Sequence, residues 1–295
     1  MSLVVNHNLM AANSSRYLNT HYKALSDSTR KLSSGLRVET AADDAAGLAI
    51  RELMRADIAA LNQGVRNAND GISLIQTADG ALGVIDEKLV RMKELAEQAA
   101  TGTYDSTQRL IIDSEYQQMA SEITRIANAT DFNGIKLLDG NLSSDTHDGT
   151  GLVSTGKLKI HFGTANDSAA DYYYIQIGDS TASALGVGNA NGGGAGHDIS
   201  TQANAQKALD AINNAIVSKD NIRAHLGALQ NRLENTITNL EVQSENLQSA
   251  ESQISDVDVA TEMTNFVRNQ ILTQSAVSML GQANSLPQMA LSLIG

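Results

Sequence analysis

The stretch MRADIAALNQGVRNANDGISLIQTADGALGVIDEKLVRMKELAEQAA, Met54 to Ala100, decides the architecture. Its apolar residues fall at steps of four and three: Met54, Ile58, Leu61, Val65, Ala68, Ile72 and Ile75. One further step of three leads to Ala78, and the pattern resumes through Leu82, Ile85, Leu89, Met92, Ala96 and Ala99. No charged side chain interrupts the series. This is the seam of a coiled coil with a single phase slip, which locally overwinds the supercoil. Extended back to Asp43, the segment predicts a helix of roughly 85 Å at ~1.5 Å per residue. A stripe that long needs a partner equally long.

Ala208 to Val257 supplies it. The apolar positions there include Ala208, Ile212, Ala215, Ile222, Leu226, Leu229, Leu233, Leu240, Leu247, Ala250 and Ile254. Leu226, Leu233, Leu240, Leu247 and Ile254 form an unbroken seven-residue ladder. Lys219, Thr236 and Gln243 interrupt the seam, and polar residues at such positions fix register at some cost in stability. Between the long helices, a shorter one follows Asp105 with its seam at Ile112, Tyr116, Met119, Ile123 and Ile126. Thr101-Gly102 separates it from the first long helix, and Asp131-Phe132-Asn133-Gly134 stops it with turn chemistry.

Composition narrows the function. The chain has 295 residues with seven Tyr, three Phe and no Trp, so it lacks the side chains that dominate globular cores. A single proline, Pro287, leaves long helices unopposed. The net charge of −12 argues against nucleic acid and against an anionic membrane surface. Absence of Cys excludes disulfides and thiol chemistry. The six histidines show no metal-ligand spacing, and neither a His-Glu-x-x-His nor a Gly-x-Ser-x-Gly motif occurs. No catalysis, cofactor or metal is expected. The N-terminus has no basic leader and no long apolar run, so a cytoplasmic protein, or one leaving the cell by a different route, is expected.

Residues 1–15 and 269–295 contain no Asp, Glu, Lys or Arg. Both ends nonetheless carry helical apolar spacing, and both are rich in Asn, Gln and Ser. Such neutral amphipathic ends are expected to order when neighbouring copies cover them.

From Asp139 to Asp198 the composition shifts to Gly, Ser, Thr and Asp. Leu158, Ile160 and Phe162 share one strand face and Tyr173, Ile175 and Ile177 another, which predicts a β-hairpin. The run from Gly186 to Gly196 reads as a flexible linker, since no Lys-Ser/Thr follows it to make a phosphate loop.

Between the first helix, broken at Gly35, and the long one stands Lys31-Leu32-Ser33-Ser34-Gly35-Leu36-Arg37-Val38, then Ala41-Ala42-Asp43-Asp44-Ala45-Ala46-Gly47-Leu48. Thr40 and Asp43 have the spacing of a capping box for the long helix. This stretch resembles the N-terminal signature of bacterial flagellin. The likeness continues through Gln76-Thr77-Ala78-Asp79-Gly80-Ala81-Leu82 and Asn128 to Gly134, and returns in Ile254 to Ile294.

The expected fold is mainly α: long antiparallel coiled-coil helices with a small β-hairpin, in a polymerising subunit. Residues 1–42 with 257–295 are expected to form the inner filament core, and residues 43–138 with 199–256 a helical domain. Residues 139–198 would make a slim outer segment. For the assembly core the expected residues are Leu3, Val5, Leu9, Phe266, Ile271, Leu280, Leu286, Leu291 and Ile294. The resemblance implies export through the flagellar type III route, an export chaperone on the C-terminal tail, and junction and cap proteins as partners. It also implies recognition by host Toll-like receptor 5 at Arg91, Leu95 and Glu115; Leu95 lies off the seam and is expected to be available. The nearest rival is a hook–filament junction protein, which shares both terminal patterns.

Overall fold

The computed structural model describes residues 8–148, 155–168, 170–188 and 197–294, with backbone alone at 155, 286–287, 290 and 291–294. The expected linker from Gly186 lies mostly outside the described residues. The helices are α1 (Leu9–Ser34), α2 (Ala45–Ala100), α3 (Ser106–Ala129), α4 (Gln202–Ser255) and α5 (Val259–Ile294). Between α3 and α4 lie short strands β1 (Asp131–Phe132), β2 (Ile135–Lys136), β3 (His147–Asp148), β4 (Thr155–Gly156), β5 (Leu158–His161) and β6 (Tyr172–Ile175). They pair antiparallel as β1-β2, β3-β4 and β5-β6. The fold is mainly α, as the seams predict.

Local chemistry sets the helix ends. α1 closes at Gly35, whose φ of 74° is left-handed and whose N–H donates to Lys31 O at 2.9 Å. α3 opens on a full capping box. Asp105 Oδ1 accepts from Gln108 N at 2.8 Å, and Gln108 Oε1 accepts from Asp105 N at 3.1 Å. The start of α2 corrects the sequence expectation. Asp44, not Thr40, is its cap: Asp44 Oδ1 accepts from Ala46 N and Gly47 N at 3.1 and 2.9 Å. Asp43 closes the preceding turn instead, taking N–H and O–H of Thr40 at 3.0 and 2.9 Å. A carboxylate one residue closer to the first helical N–H groups reaches them better.

The chain divides into two compact units, residues 1–58 with 245–295 and residues 59–244. The divisions fall inside α2 and α4, whereas the expected domain limits follow the breaks between helices. In the first unit α1 and α5 run antiparallel, Asn8 Nδ2 donating to Ala283 O at 2.7 Å near one end. At the other, Leu36 and Asp256 form a bridge, and Arg37 N donates to Ser255 O at 2.7 Å.

The second unit holds one continuous core from α2, α3, α4 and the segment between α3 and α4. On α2 the seam residues from Leu61 to Ala99 are buried, except Val65 and Ile72, which are partly so. The stripe is wider than predicted, because Leu74 and Leu95 are buried beside it. On α3 the buried set is Ile112, Tyr116, Ala120, Ile123 and Ala127, with Met119 and Ile126 at its edge. On α4 Gln243 is exposed and Ser244 takes the inward position. Strands β5 and β6 pair Leu158 with Ile175 and Ile160 with Tyr173, the faces expected from alternation. Residues 197–199 return to α3, where Gln117 Nε2 donates to His197 O and Asp113 Oδ1 accepts from Ile199 N at 2.8 Å.

Candidate assembly and recognition surfaces

In the first unit very little apolar side chain is covered. Among the described residues only Val38 and Ala283 are buried hydrophobics, against a large exposed set. On α1, Leu9 is 70% exposed, with Met10, Tyr17 and Tyr22 also open. On α5, Ile271 is 56% exposed, joined by Val259, Met263, Val267, Val277 and Met279. A groove of about 460 Å³ runs between the two helices, lined by Met10, Tyr17, His21, Leu272, Ala276 and Met279 among others. Contiguous apolar surface of this kind marks an interaction site.

Placement of the expected assembly residues is uneven. Leu9 and Ile271 are exposed, and Phe266 and Leu280 are half-buried. Leu3 and Val5 lie outside the described residues, as do the side chains of Leu286, Leu291 and Ile294.

Beside this open pair, the turn before α2 is tightly tied. Arg30 Nη2 donates to Asp43 Oδ1 at 3.1 Å, and Glu39 lies 3.6 Å from Arg30 Nε. Hydrogen bonds from Thr40, above all from its backbone N–H, hold the Asp43 carboxyl down at about 2. Arg51 is buried and donates from Nη1 to Val38 O at 2.6 Å, while Nη2 reaches Glu52 at 2.8 Å.

In the second unit Arg91 and Glu115 do meet. Arg91 Nε and Nη2 donate to Glu115 Oε1 at 3.0 and 2.7 Å, and Nη1 donates to Glu94 at 2.9 Å. Hydrogen bonding to Glu115 raises the Arg91 pKa. Both side chains are about half exposed, 48% and 45%. Leu95 differs from the expectation: at 1% exposure it belongs to the core. It lies off the predicted seam, but α2 is covered on more than one side, so a second stripe is buried.

Two interhelical ion pairs escape a reading of either helix alone. Lys219 Nζ donates to Asp86 Oδ1 at 2.6 Å, with Asp220 at 2.7 Å, and its side chain is 2% exposed. Arg223 Nε donates to Asp79 Oδ1 at 2.7 Å. The order of these contacts makes α2 and α4 antiparallel. The signal was present in outline: Asp79 and Asp86 are one heptad apart, and Lys219 and Arg223 one turn apart. Among the described residues no group of three His, Asp or Glu is arranged to hold a metal. No described helix is long and apolar enough to cross a membrane.

Residues 5–143 match the bacterial flagellin N-terminal helical region, and residues 209–294 match the bacterial flagellin C-terminal helical region. The chain belongs to the bacterial flagellin family. It is similar to the flagellin of Halalkalibacterium halodurans, 43% identical over 292 residues that cover 99% of this chain and 100% of the relative. It is also similar to a flagellar filament 33 kDa core protein of Treponema phagedenis, 41% identical with the same coverage. The crystal structure of Bacillus cereus flagellin aligns with a TM-score of 0.47 and 30% identity, covering 63% of this chain and 94% of that one. As a flagellin, the chain is a structural subunit of the flagellar filament, and the surface left open on α1 and α5 belongs to a protein that associates with itself.

Proposed function

We propose that α1 and α5 form the inner core of a helical filament, with copies of the subunit stacked in an open array. The α2–α4 unit would make the wall around it, and the segment between α3 and α4 would face outward. The observation that carries this reading is the apolar surface of α1 and α5, too large for a helix pair that buries, among its described residues, the single apolar side chain of Ala283.

The test is salt-induced growth from purified monomer. Leu9→Ser with Ile271→Ser replaces side chains already in water, so monomer melting should hardly change while micrometre filaments fail to form. Wild-type filament growth from that double variant would overturn the assignment. Wild-type protein that stops at a bounded oligomer would point to a hook–filament junction role instead.

The family resemblance extends the proposal. The subunit travels unfolded through the flagellar type III route, met by an export chaperone on its C-terminal tail. It works with junction and cap proteins, and ends outside the cell. Toll-like receptor 5 would recognise the Arg91–Glu115 edge. An exposed ion pair adds only about 0–1 kcal/mol to stability, so that pair is free to serve a partner. Leu95 supports the edge from within. Arg91→Ala with Glu115→Ala should leave melting nearly unchanged and reduce receptor signalling; undiminished signalling would refute this role.

A further inference from the structure

We propose that Met10 and Met279 form a site of reversible oxidation, and that conversion of their thioethers to sulfoxides keeps the subunit out of the filament. The chain has eight methionines. Among those whose side chains are described, four are exposed: Met10 at 47%, Met263 at 45%, Met279 at 58% and Met289 at 49%. All four belong to α1 or α5. Met92 is fully buried in the α2–α4 core, and Met54 and Met119 are half-buried. Among the described residues, well-exposed sulfur is therefore confined to the helix pair that lacks cover. Met10 on α1 and Met279 on α5 line one groove there, beside Tyr17, Leu272 and Ala276.

The rest of the composition makes thioethers the preferred target. The chain has no Cys and no Trp, so neither a thiolate nor an indole competes for a two-electron oxidant. With hydrogen peroxide, the sulfur lone pair attacks one peroxide oxygen, and the O–O bond breaks as the S–O bond forms. Sulfur loses two electrons, and the departing hydroxide takes the proton carried by the transferred oxygen and leaves as water. A dithiol-dependent sulfoxide reductase reverses the step, yielding thioether, disulfide and water.

The consequence differs between the free and the assembled chain. A sulfoxide on either helix of the monomer stays hydrated, so the fold tolerates it. Assembly as proposed above covers this groove with another copy. A flexible apolar side chain has then become a polar, chiral one inside a packed interface, which disrupts it, and water is stripped from the S–O dipole at a cost. The same cover shields unoxidised sulfur from peroxide in a finished filament. Oxidation therefore acts on the subunit before polymerisation. All of this rests on the assembly reading of α1 and α5, whose own failure is distinguishable in the test.

The test exposes full-length monomer to graded hydrogen peroxide, maps sulfoxides by peptide mass spectrometry and follows salt-induced growth. Met10 and Met279 should oxidise at least tenfold faster than Met92, with melting unchanged and growth reduced at least tenfold. Methionine sulfoxide reductases A and B with a dithiol should restore growth. Met10→Leu with Met279→Leu keeps the apolar volume and should grow after peroxide within twofold of its untreated rate. Met263→Leu with Met289→Leu, exposed positions on α5 that do not line the groove, should lose growth as wild type does. The proposal fails if the first variant is as sensitive as wild type, if the second is equally resistant, or if repair restores no growth. Should the first variant not grow even untreated, the second variant and the repair decide. In finished wild-type filaments Met10 and Met279 should oxidise at least tenfold more slowly than in monomer. Untreated wild type that forms no filament, or filament methionines as reactive as free ones, would sink the assembly reading and this site with it.

Discussion

Asp43 and Lys219 show how single charges are used. Asp43 accepts from Thr40 and Arg30, and its pKa stands at about 2 against an ordinary 3.8. A carboxyl held low in the folded state stabilises wherever the unfolded chain binds more protons. That contribution is therefore complete above about pH 4 and is lost as pH falls through about 2. Asp43→Asn should lower the melting temperature at pH 7 and lower it much less at pH 2, as a pair of calorimetric scans would register. Lys219 is a different case, since its ammonium is buried. Removing Asp86 strands that charge, which costs about 3–5 kcal/mol at a dry site. Asp86 is 36% exposed and Asp220 remains, so roughly 2 kcal/mol is the expected loss for Asp86→Ala. Lys219→Met alone should be near neutral, and the double variant should recover most of the Asp86→Ala loss. Additive losses in urea unfolding would mean the pair does not couple.

Elements were legible where one residue pattern settles them. The four-three series on α2 and α4, the start of α3 after Asp105 and the alternation of β5 and β6 each depend on near neighbours in the chain. Leu74 and Leu95 were not legible, because a seam count assumes a partner on one side and α2 is covered on more. Asp86 and Lys219 are 133 residues apart, and their pairing needed the relative register of two helices, which neither pattern contains. Glycine within α2 makes the same point with opposite signs. A Cβ on Gly64 would stand 2.0 Å from Phe162 O, a backbone atom at the end of β5. At Gly80 it would meet nothing within 4 Å. Alanine gains up to about 1 kcal/mol over glycine inside a helix, so Gly80→Ala should raise the melting temperature. At Gly64 the hairpin has to lift, and overpacking of this kind costs about 1–3 kcal/mol. Gly64→Ala should lower the melting temperature and speed amide exchange in β5 and β6. Stabilisation at both positions would show that the hairpin does not rest on α2 there.

The two units of the molecule differ in what holds them. The α2–α4 unit has a continuous apolar core, and the α1–α5 unit has, among its described residues, two buried hydrophobics, a buried arginine and a tied turn. Burial supplies about 25 cal/mol per Å² of apolar surface, while each ordered residue costs on the order of 1–2 kcal/mol of backbone entropy. A helix pair with so little covered surface therefore opens far more readily than the rest of the chain. In dilute monomer, amides of α1 and of α5 should exchange within the fast regime, while those of α2 from Ile75 to Ala99 and of α3 exchange at the rate of global unfolding. Assembly adds the missing cover, so the same α1 and α5 amides should become protected when filaments form, with little change in α3. Pulse-labelled hydrogen exchange on monomer and filament distinguishes the alternatives directly. Exchange from α1 and α5 as slow as from α3 in the monomer would mean the pair is complete alone, and the exposed apolar face would then need a different explanation.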